Sequence, residues 1–169
     1  MKGLKSLIAK HYTKEEFAWI MQDWANSVYS LMITTAIFPL YFKTVSSNAG
    51  ISAADSTAFL GYANSIATFA VSIMAPVLGA LADYKGYRNP MFTWSTLLGV
   101  FSVIGMMFAE TDQWILLLAL YTLSAIGYSA SNIFYDSSIM DVTTYDRMDR
   151  ISAAGYGYGY IGSVFPFVL

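Results

Sequence analysis

The sequence predicts an all-α protein, a polytopic bundle of transmembrane helices. Five runs of residues without charge carry this prediction, and they are 19 to 27 residues long: 24–42, 56–82, 89–109, 113–135 and 151–169. Because an α-helix rises about 1.5 Å per residue, about 20 residues cross a hydrocarbon core about 30 Å thick. With 56% hydrophobic and 12% charged residues, the chain also has too little charged surface to coat a water-soluble domain of 169 residues.

Composition excludes several classes of function. The net charge of −2 excludes a nucleic-acid partner, which requires a concentrated basic face. Without cysteine the chain forms no disulfide, no thiolate metal site and no cysteine nucleophile. One histidine and scattered carboxylates form no metal-ligand pattern, so we expect neither a metal nor a cofactor.

The helices are expected in a simple order. A cytoplasmic N-terminal segment, residues 1–16, precedes about five transmembrane helices at 17–42, 57–82, 90–109, 113–135 and 151–169. Residues 43–55 are predicted to form an outer loop, and Pro76 is predicted to bend the second helix without breaking it. The fifth helix reaches Leu169 with no polar flank, so we expect a truncated piece of a longer protein.

Orientation follows from the cations. Five crossings place eight of the nine Lys and Arg residues on the side of the N-terminus and leave Lys43 opposite; the eight are Lys2, Lys5, Lys10, Lys14, Lys85, Arg88, Arg147 and Arg150. Translocation of Lys and Arg is disfavoured, so the N-terminus is predicted to be cytoplasmic. The expected location is the plasma (inner) membrane, with the lipid bilayer as the first partner.

Polar side chains form stripes on the predicted helices. At 100° per residue, each of two stripes falls within a sector of about 100°. On the first helix the stripe is Asp23, Asn26, Ser27, Ser30 and Thr34; on the fourth it is Tyr121, Ser124, Tyr128, Ser131, Asn132 and Tyr135. A shorter set on the second helix is Ser65, Thr68 and Ser72. Lipid cannot satisfy these groups, so they face other helices or a water-filled cavity.

Two interpretations of the stripes stay open, interhelical hydrogen bonding and the lining of a solute pathway. The pathway interpretation assigns Asp23, Asn26, Ser27, Ser30, Tyr121, Tyr128 and Asn132 to the lining. Asp23 is the strongest evidence for this interpretation, because a carboxylate at the centre of a spanning helix costs about 2.5–3.5 kcal/mol on insertion scales. Asp23 is either wetted near the cytoplasmic interface or contacts a proton or a substrate amine.

Small residues on the fifth helix indicate close packing. Gly155, Gly159 and Ser163 recur every four residues, and Gly162 lies beside them. Small residues at this spacing allow helix backbones to approach closely in membranes. We therefore expect Gly155, Gly159 and Gly162 to lie in a helix contact.

The turn between the second and third helices carries a family resemblance. Its sequence, Gly79-Ala80-Leu81-Ala82-Asp83-Tyr84-Lys85-Gly86-Tyr87-Arg88, resembles the G-x-L-a-D-x-x-G-x-R/K signature of major facilitator superfamily transporters. Gly79 would permit close packing at the helix end, and Gly86 would permit a positive φ in the turn. The resemblance implies a conformational latch made by Gly79, Asp83, Gly86 and Arg88.

A narrower resemblance covers more of the chain. The block Gln22-Asp23-Trp24-Ala25-Asn26-Ser27, with Phe134-Tyr135-Asp136 and the glycine-tyrosine repeat at 155–160, resembles the "unknown major facilitator" group. That group includes fungal vacuolar permeases linked to autophagy and amino-acid efflux. The resemblance implies two six-helix halves, of which this chain supplies most of the N-terminal half and the missing C-terminal half is a partner.

The leading hypothesis is a secondary transporter of a small polar solute, amino acids by resemblance, which works by alternating access. Whether a coupling ion takes part stays open. One alternative is a membrane module that binds or assembles partners without transport. A remote alternative is an intramembrane aspartyl protease, because Tyr135-Asp136 resembles half of its motif, although the sequence supplies no matching G-x-G-D. We therefore expect no enzymatic activity.

Overall fold

The computed structural model describes residues 11–84 and 86–168, and the regular structure in these ranges is helical, without strands. The predicted all-α fold is confirmed. Residues 1–10 of the predicted N-terminal segment, Lys85 of the turn and Leu169 lie outside the described residues.

Seven α-helices, one π-helical segment and one 3-10 turn make up the described chain. In order they are α1 (Lys14–Tyr29), the π segment (Ser30–Ile37), α2 (Phe38–Asn48), α3 (Ala53–Asp83), α4 (Arg88–Met106), α5 (Trp114–Ser137), α6 (Ile139–Val142), the 3-10 turn (Tyr145–Arg147) and α7 (Met148–Val168).

Three continuous helical stretches among the described residues are long and apolar enough to cross a membrane: Lys14–Asn48, Ala53–Asp83 and Trp114–Ser137. Helices α4 and α7 have 19 and 21 residues, but their composition is more polar. Membrane crossing by α4 and α7 therefore stays a prediction.

Helix α1 begins before its predicted start because of a capping box. The Thr13 amide donates to Glu16 Oε2 at 2.9 Å, and the Glu16 amide donates to Thr13 Oγ1 at 3.1 Å. These two bonds satisfy donors that a helix N-terminus leaves unpaired. The charged residues at 14–16 consequently belong to the helix.

The loop predicted at residues 43–55 is shorter in the structure. Residues 49–52 alone separate α2 from α3, and Gly50 adopts a φ of +78° that an L side chain rarely takes. Ser46 Oγ donates to Ser56 Oγ at 2.8 Å, and both side chains are buried. This hydrogen bond joins the last turn of α2 to the first turn of α3.

The π segment interrupts the regular geometry of the first spanning stretch. Its eight residues have the wider bonding pattern of a π-helix, and Thr35 Oγ1 donates to the carbonyl oxygen of Ser30, five residues back, at 3.0 Å. Pro39, which lacks an amide donor, follows within the first turn of α2. The sequence-based assumption of 100° per residue is wrong for this segment.

The chain divides into two compact units. The terminal unit contains α1, α6, the 3-10 turn and α7, and its buried apolar side chains include Ile20 and Ile151. The central unit, residues 36–137, contains α2 to α5, and its core includes Phe42, Leu117 and Phe134.

Candidate functional site

In the terminal unit, the polar face of α1 packs against α7. Asp23 and Ser27 are half-buried, and both lie against glycines of α7. A Cβ atom added at Gly159 would lie 2.6 Å from Ser27 Oγ and 3.1 Å from Asp23 Oδ2. The absence of a side chain at Gly159 therefore makes the space that these two polar groups occupy.

The other two predicted packing glycines lie in the same contact. A Cβ atom at Gly155 would lie 3.0 Å from Trp19 Cζ3, and one at Gly162 would lie 2.5 Å from Trp24 Cδ1. The structure thus places Gly155, Gly159 and Gly162 against α1, where indole rings and a carboxylate fill their grooves.

The remaining α1 pathway residues lie along the same helix. Asn26 is half-buried, and Ser30 is exposed at the start of the π segment. Gln22 Nε2 donates to Asn26 Oδ1 at 3.4 Å, one helical turn away. This hydrogen bond connects two successive turns of α1.

A buried carboxylate that sequence reasoning missed lies at the start of α1. Glu16 is 2% exposed, and its Oε2 accepts from Arg147 Nη2 at 2.7 Å. Its Oε1 accepts from Thr143 Oγ1 at 2.6 Å. Arg147 Nη2 also donates to the carbonyl oxygen of His11 at 3.0 Å. We call Glu16, Thr143 and Arg147 the acidic clamp.

The acidic clamp joins the start of α1 to the segment between α6 and α7. The Thr13-x-x-Glu16 spacing could have shown that Glu16 caps the helix, since it is a capping-box pattern. Nothing in local sequence points to Arg147, because the two residues are 131 positions apart.

In the central unit, Tyr121 lies in the core and not on an open face. Its side chain is 0% exposed, and its ring stacks on Phe38 with centroids 4.0 Å apart. The Tyr121 hydroxyl donates to Asn64 Oδ1 on α3 at 2.9 Å. Asn64 was not among the predicted residues, because it falls outside the set assigned to the second helix.

The rest of the α5 stripe is divided by burial. Ser124, Ser131 and Tyr135 are buried, and the two serine hydroxyls donate to main-chain carbonyls three residues back. Tyr128 and Asn132 are half-buried, and both have interactions within the chain. These last two are the α5 side chains with partly open surface among the predicted pathway residues.

Helices α4 and α5 cross at a pair of glycines that sequence reasoning missed. A Cβ atom at Gly127 would lie 2.6 Å from the backbone nitrogen of Gly99 and 2.8 Å from the carbonyl oxygen of Ser95. Such distances leave no room for any side chain. A heptad-like glycine spacing is absent here, so the sequence carried little signal for this crossing.

The predicted latch residues surround the turn between α3 and α4. Gly86 has a φ of +94°, and Arg88 Nε donates to the carbonyl oxygen of Ala82 at 2.9 Å. Asp83 is the exposed last residue of α3. A Cβ atom at Gly79 would meet nothing within 4 Å, so the close packing expected there is not seen among the described residues.

The carboxylate of the protease hypothesis, Asp136, is exposed and lies one residue before the end of α5. An exposed carboxylate at a helix end lacks the desolvated environment that a proton-sharing dyad requires. Among residues 11–84 and 86–168, no three His, Cys, Asp or Glu side chains could hold a metal ion together.

Comparison with known proteins decides the family. The sequence model described as "Vacuole effluxer Atg22 like" matches residues 12–142. The chain belongs to the Atg22-like family of major facilitator-type membrane transporters. A Bacillus subtilis (strain 168) protein described as "Uncharacterized MFS-type transporter YxiO" is 47% identical over 160 residues.

That alignment covers 95% of the chain but 37% of the Bacillus protein, so the chain spans little more than a third of the length of this relative. No solved structure matches. The family and the relative are both described as transport proteins, which agrees with the expectation of a transporter and not an enzyme.

Proposed function

We propose that this chain is part of a secondary transporter that moves a small polar solute across a membrane by alternating access. The observation that carries the proposal is the polar face of α1, a helix in a stretch long enough to span a membrane. Asp23 lies on that face, and a carboxylate within a spanning helix is costly enough that it usually serves a purpose. Membership in a transporter family supports the same function.

The proposal takes its pathway residues from each polar stripe separately: Asp23, Asn26, Ser27 and Ser30 in the terminal unit, and Tyr128 and Asn132 in the central unit. Tyr121 is assigned a supporting role and does not line the pathway, since its ring is buried and its hydroxyl donates to Asn64 Oδ1. The proposed solutes are amino acids, since Asp23 offers a carboxylate to an ammonium group. The alternative ligand of Asp23 is a proton, and in that case the proton is the coupling ion.

The turn after α3 serves as the latch in this proposal. Gly86 gives the turn its positive φ, and Arg88 ties the start of α4 to the carbonyl oxygen of Ala82. Asp83 is exposed and available to a partner surface, with Gly79 one turn before it. The excess of Lys and Arg on the side of the N-terminus supports a cytoplasmic N-terminus. The membrane in this proposal is the plasma (inner) membrane.

Efflux from proteoliposomes tests the proposal. The intact protein would be reconstituted into vesicles loaded with a radiolabelled mixture of amino acids, and the released label would be identified. We expect Asp23→Asn and Asn132→Ala to lower the initial rate about tenfold, which corresponds to about 1.4 kcal/mol. Asp112→Asn, a carboxylate in the turn before α5, is the matched control.

The outcomes separate two errors. If the folded wild-type protein releases no amino acid, the proposed solute class is wrong. If it releases amino acids and both variants match the wild-type rate, the transport function stands and the pathway assignment is wrong.

A further inference from the structure

Asn64 lies deep within a helix that is long enough to span the membrane. It is eleven residues after Ala53, the first residue of α3, and nineteen before Asp83, the last. At 1.5 Å per residue, these separations place Asn64 about 17 Å from one end of the helix and about 28 Å from the other. A hydrocarbon core about 30 Å thick therefore contains it.

One side of the Asn64 amide is held rigidly. Its oxygen accepts the hydroxyl of Tyr121, whose ring is fully buried and parallel to Phe38 within 7°. A tyrosine packed in this way has one hydroxyl position, so the amide oxygen is fixed by a core residue of the same unit. The amide nitrogen, which carries two donors, is directed elsewhere.

The other side of the amide has no partner in the part of the chain that the structure describes. Asn64 is exposed, although the neighbouring Ala63 and Ala67 are buried. Nearby hydroxyls are satisfied within the helix: Ser65 donates to the Gly61 carbonyl at 2.9 Å and Ser72 to the Thr68 carbonyl at 2.8 Å. Asn64 has no such local acceptor for its N–H groups.

Lipid hydrocarbon cannot accept hydrogen bonds from the N–H groups of Asn64. A buried amide without a hydrogen bond is costly in hydrocarbon, so its N–H groups require water, protein or a solute. The apolar face of α3 is a different face of the helix. It carries the exposed side chains Tyr62, Ile66, Phe69 and Ile73. At 100° per residue, Ile66 is about 160° away from Asn64 around the helix.

We propose that Asn64 lines the water-accessible pathway and donates hydrogen bonds to acceptor oxygens of the solute, such as a carboxylate. Tyr121 is its positioning residue, because it contacts Asn64 and is itself closed to solvent. This inference rests on the proposed transport function and names a solute contact that the sequence stripes do not contain.

Thiol accessibility tests the position of Asn64 without knowledge of the solute. The chain has no cysteine, so Asn64→Cys would be the single thiol in the intact protein once any cysteine beyond residue 169 is replaced. The probe is a charged, water-soluble methanethiosulfonate, applied to proteoliposomes. Ile66→Cys and Phe69→Cys, exposed on the apolar face of the same helix, are the controls.

We expect the thiol of Asn64→Cys to react at least tenfold faster than either control. Equal, slow reaction at all three positions would overturn the inference, because Asn64 would then face lipid or protein. Amino-acid efflux by the cysteine-free parent protein is measured in parallel. Efflux with slow labelling refutes the inference alone, whereas a folded protein without efflux refutes the proposed function.

Tyr121→Phe tests the positioning role, because it removes the hydroxyl and keeps the stacked ring. We expect the KM for efflux to rise about fivefold with an unchanged kcat, since solute binding is weakened and the helix crossing is intact. Tyr62→Phe, on the apolar face of α3, should leave both constants unchanged. A lower melting temperature with an unchanged KM would show that Tyr121 supports the fold alone and would overturn its assignment.

Discussion

The α1–α7 contact in the terminal unit and the α4–α5 contact in the central unit both depend on glycine, but in different ways. At α1–α7, glycines of one helix receive side chains of the other, and Gly159 lies against Ser27 and Asp23. At α4–α5, Gly127 faces the backbone of Gly99 and Ser95 with no side chain between them. The first contact includes polar groups, and the second is main chain against main chain.

This difference predicts how each contact responds to substitution. A side chain can rotate away from an added methyl group, whereas a helix backbone can move only with its whole helix. The α4–α5 crossing should therefore be the less tolerant of the two. The α1–α7 contact should yield at its polar side chains, which are also the proposed pathway residues.

The largest effect is expected at Gly127. The added methyl of Gly127→Ala would lie 2.6 Å from a backbone nitrogen, so α4 and α5 must separate at a cost of about 3 kcal/mol. Thermal unfolding of the intact protein in detergent measures the loss. Gly79→Ala, where a Cβ meets nothing within 4 Å, is the control. Equal melting temperatures for the two variants would contradict a backbone contact at α4–α5.

The next largest effect is expected at the acidic clamp, which adds an ion pair and a hydrogen bond to the glycine contacts of the terminal unit. Glu16→Gln removes the charge that Arg147 Nη2 contacts at 2.7 Å, and we expect a loss of about 2 kcal/mol. Hydrogen exchange at residues 139–147 should quicken together with the fall in melting temperature. Glu15→Gln changes an exposed neighbour on the same helix and should have no effect. Unchanged exchange in Glu16→Gln would show that the clamp does not secure this segment.

The smallest effects distinguish two glycines of α7. Gly159→Ala should cost about 1 kcal/mol, because Ser27 Oγ can rotate away from the new methyl. Gly157→Ala meets nothing within 4 Å and should instead gain about 0.5–1 kcal/mol from lower backbone entropy in the unfolded chain. The difference in melting temperature between these variants measures the contact. If Gly157→Ala lowered the melting temperature as much as Gly159→Ala, the contact of Gly159 with α1 would not explain the effect.

The helical architecture could be predicted because it depends on local composition. Long uncharged runs mark α3 and α5, and four-residue spacing marked the glycines that the structure places against α1. The Glu16–Arg147 pair could not be found, since its partners are 131 residues apart and neither is unusual in its own segment. The burial of the α5 stripe could not be predicted from periodicity either. Helical spacing assigns Tyr121 and Tyr128 to one face but does not show which of the two is buried.

The π segment has a consequence for chain length. A π-helical turn contains more residues than an α-helical turn. The eight-residue π segment therefore has more residues per turn than α1 and α2, which it connects. Deletion of one residue from Ser30–Ile37 can be absorbed by reversion to α-helical bonding. The same deletion inside α5 would rotate every later side chain of that helix by about 100°. The first spanning stretch therefore tolerates the insertion or deletion of a residue best within this segment.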